Sequence, residues 1–319
     1  MKAAVYYETG DPSVLKYEDV PDPTCHPRGV VIAVEAISIE GGDVLARAGG
    51  TLATTPHITG YQNAGTIVEV GAEVTDREVG QRVVALAPFG SHASMRSVPV
   101  QSTWLIPDEL SIEEGAAVPV AFGTADDCLF EFGLLSPDET VLVQGAGGAV
   151  GLAAVQLAKR AGARVFGTAS TNEKLNRLTE YGLDEGINYR DQDLVQAVRE
   201  LTDGRGVDVV VDPVGGEVLG QSLACLAPRG RCISVGNASR GKRDLDPSQL
   251  GANRTLTSVS LAAEMGTDRV YAMIAAHLRD IVTGELRVVI DSSYPLEQAA
   301  EAHAHIESRA AFGRVILTP

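Results

Sequence analysis

The stretch Thr140-Val141-Leu142-Val143-Gln144-Gly145-Ala146-Gly147-Gly148-Ala149-Val150-Gly151 decides how this chain is read. Its first half is a continuous β-branched and apolar run, the mark of a strand buried on both faces. A glycine cluster follows, and beyond it Leu152, Val155 and Leu157 carry a helix from 149 to about 161. The alternation continues downstream as strand 164–168, helix 172–181, strand 186–188 and helix 191–201. Strand 207–212, helix 217–226 and strand 231–235 complete it. Strand and helix repeating at this spacing predict α/β architecture with a doubly wound parallel sheet.

Upstream, the pattern is different. Short strands at 30–36, 66–70 and 82–86 are separated by Pro21, Pro23, Pro27, Gly29, Gly41, Gly42, Gly49 and Gly50, with almost no helical periodicity. Ser111 and Glu114 form a capping box that opens an apolar helix and marks the change of pattern. Downstream of the alternation, helices at 269–282 and 296–307 and a strand at 314–317 do not extend it, and they are assigned back to the first region. The expected division is a β-rich domain over 1–115, the sheet domain over 116–260, and a return to the first domain over 261–319.

The 319 residues carry 42 acids against 26 bases, a formal charge of −16, which opposes binding to nucleic acid or an anionic membrane. No run approaches the ~18 apolar residues of a membrane span. The opening Met1-Lys2-Ala3-Ala4-Val5-Tyr6-Tyr7-Glu8 is read as lacking a signal peptide. Cys25, Cys128, Cys225 and Cys232 include no CxxC pair and read as free thiols of a reducing cytoplasm.

The glycine cluster sits where a turn must be tight, where backbone must approach a diphosphate, and where a helix N-terminus can hold the anion. Gly145, Gly148, Ala149, Val150 and Gly151 are therefore candidate dinucleotide contacts. An acid at the end of the next strand would hold the adenosine ribose. The chain instead reads Gly167-Thr168-Ala169-Ser170-Thr171-Asn172-Glu173-Lys174. With no carboxylate at 169 or 170 to repel a 2′-phosphate, and Ser170 and Lys174 able to meet one, NADPH is expected over NADH.

These residues resemble the zinc-independent quinone oxidoreductases of the medium-chain dehydrogenase/reductase superfamily, and the likeness covers nearly the whole chain. Met1-Lys2-Ala3, Ile187-Asn188-Tyr189-Arg190, Val209-Val210-Val211-Asp212 and Glu307-Ser308-Arg309-Ala310 carry it alongside 140–159. The resemblance implies a GroES-like β-rich catalytic domain plus a Rossmann domain. It also implies cofactor contacts at Tyr189, Val214, Val235, Asn237 and Arg309. Thr124 and Gly41-Gly42-Asp43 are expected beside the nicotinamide, and a homodimer through the sheet edge near 255–261.

Zinc-dependent relatives carry Cys-Gly-x-Asp and then Gly-His-Glu, where this chain has Glu40-Gly41-Gly42-Asp43 and Gly60-Tyr61-Gln62. Only one plausible metal ligand remains of the three a catalytic zinc needs, so no metal is expected. Against the quinone reductases, Glu40 replaces an asparagine, the tyrosines of 45–52 are absent, and Thr124-Ala125-Asp126-Asp127 replaces Thr-Ala-aromatic. Glu40 is a candidate proton donor or an ion-paired carboxylate with Arg47 as partner, and Tyr61 a candidate hydrogen-bond donor to the substrate oxygen. The expected activity is NADPH-dependent hydride transfer to a quinone or other conjugated carbonyl. The alternatives are an enoyl or enone double-bond reductase, and a non-catalytic NADPH-binding or RNA-binding protein.

Overall fold

The computed structural model describes residues 1–242 and 247–319. The chain begins with β1 (Lys2–Tyr6), β2 (Lys16–Asp19), β3 (Gly29–Ser38), β4 (His57–Ile58), β5 (Gln62–Val70), β6 (Arg82–Leu86), β7 (Met95–Pro99) and β8 (Thr103–Leu105). It continues through β9 (Thr140–Val143), β10 (Arg164–Ala169), β11 (Glu185–Asn188), β12 (Val207–Asp212), β13 (Leu226–Ser234) and β14 (Thr255–Ser258). It ends with β15 (Ile290–Pro295) and β16 (Arg314–Thr318). It packs as two units, Met1–Val120 with Glu264–Pro319, and Ala121–Ala263.

In the first unit the main sheet runs β15-β16-β3-β5-β6-β8 with β7 beside β3, and β2-β1-β4 form a smaller one. β16 pairs antiparallel with β3, Leu317 against Ile37, so the last strand joins the sheet that β3 begins. Val30, Ile32, Ile67, Val83 and Val98 form one core of this unit, and Tyr6, Ile37, Val44, Leu296 and Leu317 belong to another. β5 starts four residues before the expected strand at 66. Gly65 interrupts the β-branched run there, because a Cβ would lie 2.0 Å from the Ala33 carbonyl oxygen on β3.

The helix Gly41–Gly49 is a correction: Gly41, Gly42, Gly49 and Gly50 were expected to be turn residues. Glycine disfavours helix, but Asp43 reaches back to the Glu40 N–H at 2.8 Å, and Val44 and Arg47, three apart, are buried on one face. The Ser111 capping box is present, Ser111 Oγ accepting from the Glu114 N–H at 3.1 Å and Glu114 from the Ser111 N–H at 2.9 Å. Its helix spans only Ile112–Ala116.

In the second unit the sheet is parallel throughout, in the order β11-β10-β9-β12-β13-β14. Its core gathers Leu142, Phe166, Ile187, Val210, Leu223 and Leu226. The helices Ala149–Arg160, Asn172–Leu178, Leu194–Leu201 and Glu217–Ala224 connect the strands. The third begins later than expected at 191, since the Asp191 and Gln192 N–H groups turn back onto the Asn188 carbonyl and Asp193 supplies the cap.

Candidate active site

The glycine turn leaves the carboxyl end of β9, where the order of the parallel sheet reverses: β10 lies on one side of β9 and β12 on the other. Such a switch point opens a crevice at the strand ends. Gly145 has φ +58°, in the left-handed region, and a Cβ there would lie 3.3 Å from Val214 Cγ2. At Gly151 a Cβ would fall 2.5 Å from the Gly145 carbonyl oxygen and 2.7 Å from Ala146 Cα, so only glycine lets the helix seat directly on the turn. Gly148 is the helix cap and has no side chain to take up the N–H groups of Ala149, Val150 and Gly151, which lack partners along the helix. These donors and the positive end of the helix dipole form a cradle that suits an anion.

A chain of buried side chains holds the cradle from beneath. The Gly145 N–H donates to Thr168 Oγ1 at 2.9 Å, and that hydroxyl donates to Gln144 Oε1 at 2.9 Å. Gln144 Nε2 donates to Ser222 Oγ at 3.1 Å, and Ser222 donates to Asp212 Oδ2 at 3.1 Å. Asp212 Oδ1 accepts the Val214 and Gly215 N–H groups, both at 2.9 Å. The ends of β10, β9 and β12 are thereby pinned together. Val235 donates its N–H to the Asp212 carbonyl at 2.9 Å, and Asn237 Oδ1 sits 2.7 Å from where a Gly215 Cβ would be.

Ser170 and Lys174 follow β10, both half-buried. Thr171 caps the helix Asn172–Leu178 that carries Lys174, its Oγ1 accepting the Lys174 N–H at 3.3 Å. Tyr189 leaves β11 with its N–H on the Ala169 carbonyl at 3.3 Å and its ring exposed. The structure therefore places Gly145, Val214, Val235 and Asn237 in one group and Ser170, Lys174 and Tyr189 at neighbouring strand ends. Thr124 is buried in the helix Pro119–Asp126.

The remaining candidates lie in the β-rich unit. Glu40 and Arg314 form a buried ion pair, Arg314 Nη1 donating to Glu40 Oε2 at 3.0 Å and Nη2 to Oε1. Gln62 Nε2 also donates to Glu40 Oε1, while Gln62 Oε1 accepts the Val120 N–H at 2.9 Å. Burial pushes the Glu40 carboxyl upward and Arg314 opposes it. The expected partner, Arg47, is not the one used: its guanidinium is fully buried against Glu307 and the Gly10 carbonyl. Arg314 lies 274 residues away in sequence and meets Glu40 only because β16 pairs with β3.

Asp43 accepts the Glu40 N–H with one oxygen and the Tyr61 N–H with the other, at 2.8 and 3.1 Å. Burial first, then the neighbouring Glu40, pushes its carboxyl up to about 8. Arg96 Nη1 donates to the Tyr61 carbonyl at 2.9 Å, so the backbone of Tyr61 is held from both sides. A Cβ on Gly42 would lie 2.3 Å from Tyr61 Cε2, which places the ring directly over this glycine. Burial and the acids Asp43 and Glu40 push the Tyr61 phenol up, keeping its proton. Gly41 opens the helix, exposed, and Arg309 follows the helix Ala299–Glu307 with φ +60°.

Sequence reading did not assign Arg314, Arg96, Asp212 or Asn188 to a site. Arg314 and Arg96 reach partners that only strand pairing and loop packing bring close. Asp212 and Asn188, by contrast, lie in the quoted stretches 209–212 and 187–190 and accept N–H groups two or three residues on, a local signal that could have found them.

Two family models match the chain: an alcohol dehydrogenase GroES-like domain over residues 26–108 and a zinc-binding dehydrogenase domain over 149–260. A quinone oxidoreductase of Pseudomonas aeruginosa is 33% identical over 315 residues, covering 97% of each chain. The chain belongs to the quinone oxidoreductase family. Within this medium-chain dehydrogenase/reductase family, a 2-haloacrylate reductase of a Burkholderia species is 33% identical over 99% of this chain and 98% of its own. The solved structure of an Escherichia coli quinone oxidoreductase complexed with NADPH superposes with a TM-score of 0.96, at 30% identity and full coverage of both chains. The family's architecture, a GroES-like unit with a Rossmann-type sheet, is the one the resemblance implied, and the chain is an oxidoreductase.

Proposed function

We propose that the chain is an NADPH-dependent reductase of quinones or other conjugated carbonyls that works without zinc. The observation that carries this reading is the Gly145–Gly151 cradle followed by a strand end with Ala169 and Ser170 where a ribose-binding acid would stand. The residues fit the cofactor: a left-handed glycine, a helix seated without a side chain between, uncapped N–H donors, and Lys174 and Ser170 for the 2′-phosphate. When bound, NADPH supplies the hydride. Val214 and Asn237 line the turn on the nicotinamide side, and Tyr189 flanks the adenosine phosphates. Thr124, Gly41, Gly42, Asp43 and Arg309 are assigned to the cofactor by family resemblance.

Reduction of a conjugated acceptor leaves negative charge on an oxygen remote from the attacked carbon, and a hydrogen bond there lowers the barrier. Tyr61 keeps its phenol proton and is fixed by Asp43, Arg96 and Gly42, so it is the proposed donor to that oxygen. Glu40 has both oxygens engaged by Arg314 and Gln62, which suits a positioning role better than proton delivery. The same engagement, with Tyr61 and Gln62 at the other two ligand places of zinc-dependent relatives, supports chemistry without a metal.

The double-bond reading shares every cofactor residue, and the 2-haloacrylate reductase relative, by its name, acts on a conjugated acid. NADPH oxidation followed with a panel of quinones, α,β-unsaturated ketones and acrylates tests both. Turnover of quinones above enones supports the quinone reading, the reverse order supports the alternative, and tight NADPH binding without turnover of any acceptor overturns both. A homodimer through the edge of β14, which among the described residues pairs with β13 on one side only, is proposed with it, as is a cytoplasmic setting suited to four unpaired cysteines. Among the described residues no helix is long and apolar enough to cross a membrane.

A further inference from the structure

Asn188, the last residue of β11, is buried and uses its whole amide. Nδ2 donates to Asn172 Oδ1 at 3.1 Å and to Asp191 Oδ2 at 2.6 Å. Oδ1 accepts the Arg190 N–H at 3.1 Å. Its own backbone N–H goes to Gln192 Oε1 at 3.1 Å, and its carbonyl accepts from Asp191 and Gln192 at 3.1 and 3.0 Å. One planar group thus joins two segments. Asn172 is the first residue of the helix that carries Lys174, and the turn gathered around Asn188 carries Tyr189.

We propose that Asn188 is a positioning residue for recognition of the cofactor's 2′-phosphate: it locks the start of the Lys174 helix to the Tyr189 turn and so presents both side chains in one arrangement. This rests on the reading of Lys174 as a phosphate ligand. A short helix of seven residues has little stability of its own, so its first turn depends on what it is tied to. Cutting the tie leaves Asn172 and Asp191, both exposed, to be satisfied by water, so the fold survives while the geometry loosens.

The test is titration of the full chain with NADPH and, separately, NADH, for wild type, Asn188→Ala, Asn188→Asp, Lys174→Ala and the double variant Asn188→Ala with Lys174→Ala. Asn188→Ala is expected to raise Kd for NADPH about tenfold more than Kd for NADH, the scale of one hydrogen bond to a charged group, with any smaller effect shared by both nucleotides coming from Tyr189. kcat at saturating NADPH stays at the wild-type value. Asn188→Asp keeps the acceptor for Arg190 but loses both donors and sets a second carboxylate against Asp191, so it should weaken NADPH at least as much as Asn188→Ala. In the Lys174→Ala background, Asn188→Ala should add nothing to the NADPH/NADH ratio, because it acts through that lysine. Equal weakening of both nucleotides, or additive effects in the double variant, would overturn the proposal. If Lys174→Ala itself leaves the ratio unchanged, the parent reading fails, and this inference with it.

Discussion

Arg314 reaches Glu40 where water does not, and the energetics of that pair follow from its burial. Removing one partner strands the other charge, at a cost of about 3–5 kcal/mol. Arg314→Met should therefore lower the stability of the chain by that amount in urea titration. Combining it with Glu40→Leu should restore much of the loss, since two apolar side chains of similar bulk leave no unpaired charge. A single variant of wild-type stability would show that the pair is not as buried as its geometry indicates. Lys174 belongs to the same scale but to binding: Lys174→Ala should weaken NADPH about ten- to a hundredfold and NADH hardly at all, read by titration. The difference arises because only the phosphorylated nucleotide brings a charge for the lysine to meet.

Elements show opposite pH dependences in the β-rich unit. At the start of the helix Gly41–Gly49, Asp43 has a folded-state pKa of about 8, raised mainly by burial. A raised acid binds more protons folded than unfolded, so its contribution is full below about pH 4 and is lost as pH climbs toward 8. His92 and His303, in contact through their Nε2 atoms at 3.0 Å, are held low by burial, His92 at about 3. For them the folded state binds fewer protons, so stability falls as pH drops from 6.5 toward 3. Asp43→Asn should flatten the alkaline limb of a stability–pH profile and His92→Phe the acid limb. A profile unchanged in shape by either variant would contradict the assignment.

The elements also show what could be seen beforehand. β6 and β12 match their expected bounds residue for residue, because the buried apolar runs Val83-Val84-Ala85-Leu86 and Val209-Val210-Val211 form most of each strand. The helix Gly41–Gly49 could not be seen, since its glycines argue against helix and its support comes from Asp43 and from the burial of Arg47 beside Glu307. At the site the division is similar. The glycine turn was legible because a left-handed Gly145 and a Gly151 packed against the turn leave no room for side chains. The Glu40–Arg314 pair and the Asp43–Tyr61–Arg96 clamp were not, because they join residues that only strand pairing and loop packing bring together.

At the scale of the whole molecule, the cradle and both strand ends that would meet the adenosine half of the cofactor lie within Ala121–Ala263. A ligand that binds only the folded state stabilises it by mass action, about 2.7 kcal/mol at a free concentration 100 times Kd. For a unit of this size that corresponds to roughly 5–10 °C in Tm. NADPH should therefore raise the transition that includes this unit by that amount in a thermal scan. NADH at the same concentration should raise it less, because its weaker Kd lowers the ratio on which the shift depends. If the two units melt separately, only one transition moves; if they melt together, the single transition moves by a smaller step, the same free energy being spread over a larger unfolding entropy. No shift with NADPH would remove the cradle from the account, and equal shifts with both nucleotides would remove the phosphate preference that Lys174 and the empty acid position support.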